Sequence, residues 1–150
     1  MTVWLAGMRM TADRLMDHTL EDSVSSGATA ATDWSVVSFE GRKVNGITTI
    51  NAFCNRTGAA IAELVAGSGN ITDTAMVTLP VGWRPPSNHE GIWGNGTNDG
   101  SVVISSTTGI ITVRSTSGSA GIASGSNCRV SASWISENGR DPRQPDPLLP

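Results

Sequence analysis

The chain has 150 residues and a mass of 15.6 kDa, which fits one domain and leaves no room for two independent cores. Charged residues make up 15%, against roughly 25% in an average soluble domain, and Lys43 is the one lysine, which excludes charge-driven disorder and a Lys/Glu-rich helical bundle. The net charge of -3 gives no basic footprint for nucleic acid, while a hydrophobic fraction of 38% can fill one modest core.

In chain order, the first zone is an arm over residues 1–32. Thr11 is placed as an N-cap, with Asp13 in the first turn, and Ala12, Leu15, Met16, Thr19 and Leu20 recur at helical spacing. This predicts a short helix over Thr11–Leu20, too short to be stable unless it docks on something. Ahead of it Trp4, Leu5, Met8 and Met10 form a cluster too apolar for a free terminus, so Trp4, Met8, Met10 and Leu15 are the candidate anchor to a larger surface. Small residues from Ser23 to Thr32 read as a linker. Arg9, Asp13, Arg14 and Asp17 interrupt any secretory apolar region, and no run approaches the ~18 apolar residues of a membrane span. The expectation is a soluble chain made in a cytoplasm, without membrane insertion.

The second zone, 33–135, reads as strands and turns. Trp34–Phe39, Lys43–Asn55 (a long strand or a hairpin with Asn45-Gly46 near its start), Ala59–Val65, Ala75–Leu79, Ser101–Ser105, Gly109–Arg114 and Arg129–Ile135 are the candidates. Seven or eight short strands at this spacing, with no helices between them, predict an all-β antiparallel sandwich or jelly roll. The third zone, 136–150, holds four of the seven prolines and is expected to be an extended tail.

Chemistry is sparse. His89-Glu90 is the one His beside a carboxylate, but neighbours on a strand face opposite ways, and a loop beside Pro85-Pro86 is the expected setting. No nucleophile elbow, phosphate loop or zinc-protease motif is present, so no catalytic residue and no cofactor are expected. With two histidines and two cysteines there is no paired spacing for a metal. Cys54 and Cys128 can form a disulfide on paper, or stand as a matched pair of buried thiols on strands, the plainer reading. Asn95-Gly96-Thr97-Asn98-Asp99-Gly100 has the flavour of a calcium loop but offers one carboxylate, so a polar hairpin loop is favoured. Trp83 and Trp93 flank a Pro/Asn/Gly-rich stretch, where an indole can stack on a sugar, plug a subunit interface or simply anchor the core.

The runs Arg42-Lys43-Val44-Asn45-Gly46-Ile47, Gly69-Asn70-Ile71-Thr72 and Thr78-Leu79-Pro80-Val81-Gly82-Trp83-Arg84-Pro85-Pro86 resemble the C-terminal domains of bacteriophage head and tail fibres. Those domains carry a leucine-proline-x-glycine-aromatic-arginine-proline signature, followed by strand, Gly turn and strand. The opening Trp4-Leu5-Ala6-Gly7-Met8-Arg9-Met10-Thr11-Ala12-Asp13-Arg14-Leu15 is similar to that of small virion proteins from phages of actinobacteria. The resemblance touches about two thirds of the chain. It implies a homotrimeric, tumour-necrosis-factor-like jelly roll on the virion surface, attached by its N-terminal arm to major capsid or tail proteins.

Without a repetitive shaft, a short capsid decoration or head-fibre protein is favoured over a tail fibre. Pro80, Gly82 and the guanidinium of Arg84 beside Pro85-Pro86 suit a subunit seam, making Arg84, Pro85 and Pro86 the candidate trimer interface. Two other classes stay open. A minor tail protein or receptor-binding module would recognise a host surface glycan with Trp83, Trp93, Asn95, Asn98 and Asp99. A depolymerase would need two carboxylates in one groove, and the acidic residues of the body are scattered along it.

Overall fold

The computed structural model describes residues 20–44, 46–117 and 121–136, and the side chains from Asp22 onward. The candidate anchor residues, the predicted helix as far as Thr19 and nearly all of the proline-rich tail lie outside the described residues. Nine strands follow one another: β1 (Leu20–Val24), β2 (Thr29–Ala30), β3 (Trp34–Val44), β4 (Ile47–Arg56), β5 (Asn70–Thr78), β6 (His89–Gly94), β7 (Asp99–Ile104), β8 (Ile110–Ser115) and β9 (Asn127–Ile135). A single 3-10 turn, Val81–Trp83, is the only helical element among the described residues. The fold is all-β, antiparallel and jelly-roll-like, as expected.

The strands form one curled sheet in the order β1-β3-β4-β9-β6-β7-β8-β5-β2. Alternation explains which face of each strand is buried. Along β4 the inward set is Thr48, Ile50, Ala52, Cys54 and Arg56; along β9 it is Cys128, Val130, Ala132 and Trp134. β4 and β9 are paired along nearly their whole length, whereas β9 and β6 share only Trp93↔Val130 and Gly94↔Arg129. The sheet turns at this short seam. On one side lie β1, β3, β4 and β9, on the other β6, β7, β8, β5 and β2, and their inner faces meet over one core. Trp93, Val102, Ile104, Ile111, Val113, Met76 and Val77 fill the second half and are wholly buried.

The sheet edges are where sequence reasoning departs from the structure. The stretch read as a linker supplies β2 and the last two residues of β1: β1 pairs with β3, and β2 pairs with β5 at the opposite edge. Leu20, assigned to the end of a helix, opens β1. Asp33, in the left-handed region at φ 64, then turns the chain from β2 straight into β3. Its backbone oxygen accepts from Thr57 N–H and Gly58 N–H, and Arg56 Nη2 lies 3.4 Å from its carboxylate. Residues 59–65 are not a strand. They join the sheet through the bridges Ile61↔Ile122 and Glu63↔Ile71 and through Arg56 Nε, which donates to Ala59 O, and Glu63 spends its carboxylate on the amides of Gly67 and Gly69. His89 and Glu90, expected in a loop, begin β6.

Candidate functional site

The Leu79–Pro86 run is spent largely within the chain. Pro80 ends β5, and the following 3-10 turn swings Trp83 onto β3. There its indole lies against Gly41, where a β-carbon would collide with the ring, and Lys43 Nζ sits 4.7 Å from the ring centroid. Arg84 donates from Nη1 to the carbonyl of Thr107 at 2.6 Å, with its stem over Gly109 in the β7–β8 turn. Pro85 is buried and Pro86 exposed. The motif therefore ties β3, β5 and the β7–β8 turn together across one end of the sheet.

The five candidate ligand residues fare differently. Trp93 is wholly buried and donates from Nε1 to Ser115 O at 2.9 Å, and Trp83 is 6% exposed, so neither offers a free ring face. Asn95 Oδ1 accepts from the amides of Thr97 and Asn98 and shapes the β6–β7 turn. Asn98 reaches Gly121 O and Ser117 Oγ. Only the carboxylate of Asp99 makes no hydrogen bond or ion pair to a described residue. The loop is a hydrogen-bonded hairpin turn, and no metal-holding group of three or more His, Cys, Asp or Glu occurs among the described residues.

Cys54 and Cys128 are free thiols and direct cross-strand partners on β4 and β9. Burial raises the Cys54 thiol to about 11, and burial together with Cys54 raises Cys128 to about 12. Both are protonated core groups rather than nucleophiles. His89 and Glu90 diverge as neighbours on a strand must. The imidazole meets the Trp134 ring edge-on at 5.6 Å, and Glu90 points out to within 3.9 Å of Arg114.

One concavity is not legible in the sequence because its residues are scattered over five strands. It is a groove of about 810 Å³ on the outer face of the sheet, beside the β9–β6 seam. Register builds it from two rows of cross-strand neighbours. The first runs Ser38, Phe53, Arg129, Gly94, Asp99 over β3, β4, β9, β6 and β7; the second runs Glu40, Asn51, Ser131 and contains Ile92. Arg129 lies over the Phe53 ring, its guanidinium carbon 4.9 Å from the centroid. Gly94 leaves a gap in the first row, since a β-carbon there would meet nothing closer than 3.9 Å.

Neither a family model nor a curated protein matches the chain.

Proposed function

We propose that this chain is a bacteriophage virion structural protein, a short homotrimeric appendage held to the particle by its N-terminal arm. One observation carries the reading beyond the sequence resemblance: the chain enters and leaves the sheet at the same end, and that end is apolar. Leu20 pairs with Val44, Ile47 pairs with Ile135, and Ser136 N–H bonds to Gly46 O. There Ile47, Ile135 and Val81 are 49%, 77% and 77% exposed, three of the seven large apolar side chains exposed among the described residues. The arm with Trp4, Met8, Met10 and Leu15 is joined to this end. It supports a contact of the apolar end with the capsid or tail and with sister subunits, leaving the opposite end, with the 95–98 turn, to project.

The fold alone carries no function. The reading predicts a trimer in sedimentation at micromolar concentration, and labelling of purified particles by an antibody to this chain in negative-stain microscopy. A stable 15.6 kDa monomer removes the trimer. Unlabelled particles remove the virion.

A further inference from the structure

We propose that the outer-face groove at the β9–β6 seam is a saccharide-binding site, in which Arg129, Asn51, Ser131 and Asp99 supply hydrogen bonds around Phe53 and Ile92. The proposal deepens the appendage reading and rests on it only in that this face is turned away from the particle.

The argument starts from which side chains are already committed. Asn51, Ser131, Asp99 and Arg129 make no side-chain hydrogen bond or ion pair to a described residue. Glu40, the other carboxylate lining the groove, is taken by Arg42 at 2.7 Å. The free set therefore contains a fork of donors on Arg129, a carboxylate acceptor on Asp99, an amide on Asn51 and a hydroxyl on Ser131. A sugar offers hydroxyls that donate and accept at once, and it is satisfied by such a mixed set. A nucleic acid would want several cations, and Arg129 is the one cation lining this site.

Geometry adds to the chemistry. Stacking on Phe53 holds the Arg129 guanidinium in place. The missing side chain at Gly94 opens the floor between Arg129 and Asp99, so donor and acceptor flank one recess. Ile92, 69% exposed, gives an apolar wall for the carbon face of a ring. The volume falls within the roughly 300–1,000 Å³ of small-molecule sites. A sister subunit fits the groove less well, because Ile92 is the one large exposed apolar side chain that lines it, beside half-buried Phe53.

The test is binding of the full chain to an array of neutral and uronic-acid oligosaccharides, followed by titration of the best binder. Gly94→Leu is the informative variant: it fills the recess, and its β-carbon has room. Arg129→Ala and Asn51→Ala remove the hydrogen bonds, and Val65→Ser, an exposed position outside the groove lining, is the control. The expected result is saccharide binding that falls at least tenfold in Gly94→Leu, Arg129→Ala and Asn51→Ala, with unfolding midpoints and the Val65→Ser affinity unchanged. Absence of binding to any saccharide overturns the proposal, as does binding that survives both Gly94→Leu and Arg129→Ala. Because the array uses purified chain, a negative result leaves the virion reading standing, and particle labelling tests that reading separately.

Discussion

Gly100 faces inward opposite Trp93, whose indole passes over it to donate to Ser115 O. A methyl group at position 100 would run into that carbonyl and into the indole nitrogen, both held by the sheet. Gly100→Ala is therefore expected to cost about 1–3 kcal/mol, the usual penalty for overpacking. Gly82→Ala, where nothing lies within 4 Å of the added carbon, should stay within about 0.5 kcal/mol of the parent. Urea titration of both variants checks the pair, and equal stability would contradict the packing. The thiols make a second prediction at this scale. Their folded values, about 11 and about 12, lie above an unfolded thiol's roughly 8.5. The unfolded chain thus loses its protons first as pH rises, so stability is full below about pH 8.5 and declines toward pH 11. Replacing both cysteines by alanine should flatten that decline in urea titrations at pH 8, 9 and 10. An unchanged slope would remove the thiols as its source.

Among the elements, the Pro80–Pro86 turn does for the sheet what a longer hydrogen-bonded ladder would otherwise do. It docks Trp83 on β3 and Arg84 on the β7–β8 turn, linking the two halves at the end opposite the Asp33 turn. Arg84→Ala should cost about 1–2 kcal/mol, the scale of one charge-assisted hydrogen bond. Its sedimentation should match the parent's, because the guanidinium is engaged within its own chain. Loss of the oligomer with stability intact would support the subunit seam that the sequence resemblance implies for Arg84. The motif was legible before the structure, but its destination was not: the residues it grips, Gly41, Thr107 and Gly109, carry no sequence mark of being gripped.

For the whole molecule, the separation of an apolar end from a hydroxyl-rich outer face sets the division of labour proposed above. Ile47→Lys with Ile135→Glu places opposite charges at two exposed, directly paired positions, so the monomer fold should lose little. Sedimentation should nevertheless shift toward 15.6 kDa. A double variant that sediments like the parent would place the subunit contact elsewhere.

What the sequence determined by itself is the all-β class, the β7–β8 hairpin, the strand at Arg129–Ile135 and the burial of two thiols on strands. Each rests on local information: alternation with period two, glycine at turns and too few charges for helices. The edge strands β1 and β2 are not legible in the sequence because β1 straddles a stretch with helical spacing and one of small residues, and a two-residue strand such as β2 has no pattern until a neighbour pairs with it. The fates of Trp83 and Trp93 were left open because an indole's burial depends on what crosses over it, here Gly41 and Gly100. The groove was decided only by register. Phe53 and Arg129 are 76 positions apart, and pairing of β4 with β9 makes them neighbours. A one-residue slip of β9 against β4 would turn Arg129 into the core, so long-range pairing, not composition, decides whether the site exists.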